Sequence, residues 1–346
     1  WGTFGSVGAA WILSQEKFLS SVKWINNLKL KASYGILGNQ DLDLDYTAST
    51  PDYYLYKDFY QTDNLNGKPS FSFYSKGNKD LTWERSGTFN TGIEARLFDA
   101  LELNVDYFVK RTDNMLFKKQ VAPSLGYAFY PESEGVLQNQ GLEVELNWDA
   151  YKSKNFSVSV HANGGYYKNK ISRMSTDPFG QPKHYEIHGA FAYKKGHSVQ
   201  DYYIRTWKGV SDQGLPLWKA YTYKGAGNKD VYVTDYEKYI SSGGDPSKLT
   251  ETTTSDYNDA VREFVGKSAI PDFIGGFGFD IQIQNFTDST NFSYGLGGWG
   301  YDGVYADLMD SGSQIGAHNF HKDIRNFWRS DRPTNLPILT HDIEAL

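Results

Sequence analysis

The feature that most restricts this chain is a strict two-residue alternation of apolar and polar side chains, sustained over segments longer than an average strand. From Leu28 to Ile36 one face reads Leu28, Leu30, Ala32, Tyr34, Ile36, and the other Lys29, Lys31, Ser33, Gly35. From Phe89 to Leu97, Phe89, Thr91, Ile93, Ala95 and Leu97 oppose Asn90, Gly92, Glu94 and Arg96. A tight turn at Asp99-Ala100 leads to Leu101, Leu103, Val105, Tyr107, Val109 against Glu102, Asn104, Asp106, Phe108, Lys110. Leu142, Val144, Leu146 and Trp148 alternate with Glu143, Glu145 and Asn147, and a turn read at residues 149–155 leads to Phe156, Val158, Val160, Ala162. Phe277, Phe279, Ile281 and Ile283 follow the same rule, as do Phe292, Tyr294 and Leu296 beyond a connection read at residues 285–290. Period two is the signature of a β-strand with one apolar face. Segments of roughly nine to eleven residues are also long enough to cross a bilayer when tilted.

Alternation alone suits a soluble antiparallel sheet equally well, so composition has to separate the two. Of 346 residues only 39% are hydrophobic, yet 16% are aromatic, and there are 34 Gly. Many rings and glycines with few aliphatics fit a transmembrane barrel, where aromatic girdles mark both interfaces and the lumen stays polar. The mean hydropathy of −0.57 does not oppose this, because a strand hides its lipid face in every second residue. The absence of Cys excludes disulfide frameworks and thiolate chemistry, and the net charge of −6 argues against nucleic acid as a partner. The chain starts at Trp1 without Met or a signal peptide, so its N-terminus is expected to lie further upstream.

Connection lengths favour the membrane. The turns named above are short, whereas residues 41–79, 111–139 and 167–275 are long, polar and rich in Tyr, Asp, Gly and Pro. Short turns on one side and long loops on the other are what an outer-membrane barrel has, with the long loops extracellular.

Candidate chemistry is sparse. Asp41, Asp43 and Asp45 offer carboxylates that a hard cation could use, although a solvated loop entry explains them better. His184 and His188 have helical spacing but lack the glutamate of a metalloprotease motif, and no metal or other cofactor is expected. No nucleophile is paired with a base, so an enzyme is not expected. Trp207, Trp218, Tyr221 and Tyr223 lie in the longest loop, where such rings either stack on sugars, on peptide side chains or on a partner protein, or pack within the loop itself.

Several motifs resemble those of the SusC/RagA-type TonB-dependent transporters. They are Lys29–Gln40 with its Ser-Tyr-Gly core, Leu81-Thr-Trp-Glu84 followed by Asn90-Thr-Gly-Ile-Glu94, Asp106–Leu116, and Asn139-Gln-Gly-Leu-Glu143. Ile270–Phe277, Tyr294–Gly298 leading to Tyr301-Asp302, and His321–Ile324 with Trp328 complete the series, in the family's order over nearly the whole chain. Departures are Lys31, where arginine is usual, and Arg329–Asn335. The resemblance implies an all-β fold, a transmembrane antiparallel barrel of the outer membrane of which residues 1–346 are the C-terminal part. It further implies TonB-driven import of an oligosaccharide or peptide, and partnership with a SusD-like surface lipoprotein and, through a segment not in this chain, with the TonB complex. About ten to twelve strands are expected here, against about 22 in a closed barrel around a plug. A passive porin or adhesin-like barrel and a soluble carbohydrate-binding β-sandwich are the competing readings.

Overall fold

The computed structural model describes residues 2–39, 54–120, 123–127, 129–177, 180–309 and 319–339. Eight strands form its main sheet: β1 (Gly5–Ile12), β2 (Ile25–Asn39), β3 (Glu84–Leu97), β4 (Leu101–Asp113), β5 (Val136–Lys152), β6 (Phe156–Arg173), β7 (Phe273–Ile283) and β8 (Phe286–Leu296). Every neighbour pair is antiparallel and the spatial order equals the chain order, which is an up-and-down meander. Among the described residues no helix is long and apolar enough to cross a membrane, which says nothing about strands.

The register turns the alternation into two faces. Leu30 opposes Ile93, Ile93 opposes Val105, and Val105 opposes Val144, so the aliphatic residues of four strands share one row. One residue along, Lys31, Gly92, Asp106 and Glu143 form the matching row on the other face. A slip of one residue would send every one of these side chains to the wrong side. The apolar face is open over most strands, with Val7, Tyr34, Phe89, Ile93, Phe277 and Phe292 exposed. Hydrocarbon accepts such a face and water does not, so this sheet is a stretch of transmembrane barrel wall, with the polar face toward the lumen.

All short connections lie at one end: residues 13–24, 98–100, 153–155 and 284–285. The long ones, residues 40–83, 114–135 and 174–272, leave from the other end. The turn after β3 holds Phe98 and Asp99 both at φ 56°, with Ala100 N–H donating to Leu97 O at 3.1 Å. That is a type I′ geometry, whose twist matches paired strands but strains a residue as large as Phe98. Two contacts hold it: Phe98 stacks on Trp24 with centroids 5.4 Å apart, and Asn26 Oδ1 accepts the Asp99 N–H at 2.8 Å. Rings also pair near other short connections, Trp11 with Phe18 and Tyr151 with Phe156. With Phe286 they mark this end as an aromatic girdle.

Three sequence expectations are corrected. The main sheet has eight strands, not ten to twelve, because much of the long connections folds into short strands of its own. The turns read at residues 149–155 and 285–290 shrink to residues 153–155 and 284–285, since β5 continues through a bulge to Lys152 and β8 begins at Phe286. The loops read at 111–139 and 167–275 are likewise shorter, because β4, β5, β6 and β7 extend into them, to Asp113, from Val136, to Arg173 and from Phe273. There period two loses its contrast, with neighbours polar on both faces, as at Lys168-Asn169-Lys170, or apolar on both, as at Val136-Leu137 and Phe273-Ile274. Within the loop read at 41–79, residues 59–75 form a hairpin, Phe59–Leu65 with Lys68–Ser75, turned by Asn66-Gly67 at φ 54° and 78°. Asp41, Asp43 and Asp45 lie outside the described residues.

The chain divides into two units. The first holds the main sheet and runs through residues 1–183, 194–198 and 271–297. The second comprises residues 184–193, 199–270 and 298–346. It contains a four-stranded sheet (Tyr185–His188, Phe191–Lys194, Asp201–Arg205, Arg262–Ser268) and another built on Pro216–Lys224, flanked by Trp207–Val210, Asp230–Val233 and Thr250–Thr254. Its core is small and tight, with Ala192, Tyr203, Ala220, Ala260 and Val261 fully buried.

The face assignment has a direct test. Val105→Arg places a cation on the apolar face and should cost on the order of 2–4 kcal/mol, whereas Asn104→Arg, on the polar face, should be tolerated. Heat-modifiable migration of the folded protein in detergent reads both variants, and equal losses would sink the assignment.

Candidate functional site

The polar face of the main sheet carries a cross-strand ion network. Lys29 on β2 reaches Glu94 on β3 at 2.8 Å, and Lys31 reaches Glu94 at 3.1 Å and Asp106 on β4 at 2.9 Å. Asp106 is two strands away from Lys31, and the residue between them in register is Gly92. A Cβ at Gly92 would run into the Asp106 carboxylate and would lie 2.6 Å from Val105 O. The glycine is thus the gap through which the lysine spans a strand. Further across, Glu143 accepts the Tyr167 hydroxyl at 2.9 Å, and Glu145 accepts Asn104 and Asn147 amides at 3.3 Å. These groups form a half-exposed, polar, partly charged lining of the kind a water-filled lumen needs.

The second unit is organised around a buried polar knot. Tyr203, fully buried, donates to Asp235 Oδ1 at 2.6 Å, and Tyr185 donates to Asp235 Oδ2 at 2.9 Å. Asp235 Oδ1 also accepts the Lys238 N–H at 2.9 Å and so caps the short helix Tyr236–Ser241. Glu237 N–H donates to the Tyr203 hydroxyl at 3.1 Å, and the Glu237 carboxylate lies 2.8 Å from His184 Nε2. Burial, reinforced by the bond to Asp235, pushes both phenols well above the ordinary tyrosine range. Burial alone would lower Lys219, but its 2.7 Å pair with Glu263 outweighs that and holds it above the ordinary lysine range.

The rings singled out in the sequence do not converge. Trp207 meets Trp218 edge-on at 5.2 Å, and Trp218 meets Tyr257 at 5.1 Å, with the Arg205 guanidinium over Tyr257. Tyr221 and Tyr223 have the opposite parity on the same strand and pack against Tyr236 and Tyr239 of the short helix. All four are half-buried and take part in folding the unit. His184 and His188 are not on a helix: Tyr185–His188 is a strand, and His188 stacks on Tyr193. Among the described residues no group of three potential metal ligands exists. Sequence reasoning missed the Tyr185–Tyr203–Asp235 knot, whose members lie far apart in the chain. It also missed the Lys31–Asp106 bridge, for which Gly92 at the centre of a charged row was the available signal.

No family model matches the chain. Among curated proteins it is 28% identical over 321 residues to the TonB-dependent receptor P39 of Formosa agariphila, covering 86% of this chain and 29% of the relative. It is 23% identical over 319 residues to the TonB-dependent receptor SusC of Bacteroides thetaiotaomicron, covering 91% of this chain and 29% of SusC. The chain therefore spans about three tenths of the length of these relatives. Its fold superposes on a chain of the RagAB peptide transporter with a TM-score of 0.76 at 24% identity, covering 97% of this chain and 34% of that one.

Two measurements follow. Gly92→Ala should break the Lys31–Asp106 bridge and lower stability by about 1–3 kcal/mol, the range for an added methyl in a tight site. Gly5→Ala, where nothing lies within 4 Å, should have no effect; matching melting behaviour of the two variants would refute the role given to Gly92. The raised phenols of Tyr185 and Tyr203 favour their protonated forms in the folded state. Their contribution to stability is full below the unfolded tyrosine pKa of about 10 and is lost as pH climbs above it. Near-UV circular dichroism should show alkaline loss of the second unit above pH ~10, with a shallower pH dependence in Tyr203→Phe; identical slopes would exclude the linkage.

The eight-stranded two-faced meander, the ordered motifs and the relatives converge: the chain is a run of outer-membrane barrel wall that resembles that of TonB-dependent receptors of the SusC/RagA type.

Proposed function

We propose that the chain forms part of an energised importer that carries an oligosaccharide or peptide nutrient across the outer membrane, and that it does no chemistry on its cargo. The observation that carries this reading is the sheet with an apolar outside, a charged and hydrogen-bonded inside, and short turns at one end only. Such a wall suits a water-lined passage rather than a catalytic cleft. The names of the relatives, receptors dependent on TonB and a peptide transporter, support import in particular. In this reading the remainder of the barrel, a plug and the segment that engages the TonB complex belong to the whole protein. The long connections, with the second unit among them, face the outside of the cell. A SusD-like lipoprotein sits over them, and the free edges of Trp207, Trp218, Tyr221 and Tyr223 contact that partner or the cargo.

The test is uptake of labelled oligosaccharides and peptides by cells making the full-length protein, with and without TonB and with and without a protonophore. Import should vanish when either energy source is removed. Uptake that persists in both cases would establish a passive porin instead.

A further inference from the structure

Most rings of the second unit are spent on internal packing, but Trp299 is anchored through its backbone and left half in water. Its N–H donates to Ser268 O at 2.9 Å, and its carbonyl accepts the Tyr202 hydroxyl at 3.0 Å. Both anchors belong to the four-stranded sheet, where Asp201 and Ser268 are in register. The Ser268 hydroxyl is itself fixed on Gln200 O at 3.2 Å. The Lys267 ammonium lies 4.1 Å from the centroid of the indole. Even so, 52% of Trp299 is exposed, and Tyr301 nearby is 81% exposed. Gly297, Gly298 and Gly300 flank the tryptophan and contribute no side chains to cover it.

We propose that Trp299 and Lys267 form a binding platform for an acidic saccharide, a sugar chain bearing carboxylate or sulfate groups. This rests on the import reading and names the class of cargo. An indole whose backbone is tied at both its N–H and its carbonyl loses little entropy when a ligand lands on it, which is the condition for an efficient anchor. Lys267 covers one side of the ring, so the other is the one open to a ligand. The C–H face of a pyranose is flat, apolar and weakly positive, and it matches the negative face of the indole. Lys267 is exposed, and among the described residues no carboxylate pairs with it. It therefore presents an uncompensated cation over the covered face of the ring. That cation attracts an anionic substituent on the sugar and repels a basic peptide, which would otherwise compete for the same face through its own cation–π contact.

The experiment uses the full-length receptor in detergent and calorimetric titration with hexagalacturonate, its neutral methyl ester and a hexalysine peptide. Hexagalacturonate should bind about five-fold tighter than the ester, the size of one exposed ion pair, and hexalysine should not bind. Lys267→Gln should erase the difference between acid and ester. Trp299→Ala should weaken both about ten-fold, and Trp299→Phe should retain part of the affinity. Equal binding of acid and ester, binding untouched by Trp299→Ala, Trp299-dependent binding of hexalysine, or no saccharide binding at all would each overturn the proposal. Energised uptake is measured in parallel on cells. If it persists for another nutrient while hexagalacturonate fails to bind, the platform falls and the import reading stands; if it is absent, the import reading falls whatever binds.

Discussion

Everything in the membrane part of this protein depends on where its peptide groups find partners. Hydrocarbon offers none, and each unsatisfied N–H or C=O there costs several kcal/mol, on the order of a strong hydrogen bond. The meander answers by pairing every inner strand on both sides, from β2 through β7. Once the ladder is fixed, so is the register, and the register decides which residue meets lipid and which meets water. The sequence then has little freedom. A Val105 or an Asn104 is assigned its medium by its parity alone.

The polar face uses the same ladder for a second purpose. Strands are held together by hydrogen bonds between peptide groups, and then again by side chains that reach across them. Lys31 does this over two intervals because Gly92 leaves the space. The pairing is half-shielded rather than buried, so its charges avoid the heavy desolvation that a dry interior imposes. A lumen can therefore carry formal charges at modest cost while the outer face cannot carry one.

How far the fold could be read from sequence follows from contrast. Where one face was aliphatic and the other charged, as in Leu101–Lys110, the strands were legible almost to the residue. Where both faces were polar, as beyond Tyr167 or before Leu142, strand ends were placed too early or too late. β1 escaped altogether, because Gly-Ser-Val-Gly-Ala-Ala has no strong alternation to read. The site was less legible than the fold. Trp218, Tyr221 and Tyr223 were visible as rings, and their odd and even positions already implied two different faces of one strand. The knot of Tyr185, Tyr203 and Asp235 left no such trace, since nothing local ties those three together. It exists only through tertiary contact.

The connection at residues 174–272, which holds only part of the second unit, enters the chain between β6 and β7, two strands that pair directly, with Tyr166 opposite Phe273 and Tyr167 N–H donating to Asp272 O. Its entrance and exit are thus neighbours on the rim of one hairpin. An insert attached this way adds little strain to its host, because closing a longer loop between fixed neighbours costs only about 0.6 kcal/mol per doubling of length. Natural selection can therefore lengthen, trim or replace the insert as a cassette while the wall beneath keeps its register. Diversity of recognition and constancy of the pore become separable traits, each free to drift at its own pace along a single gene.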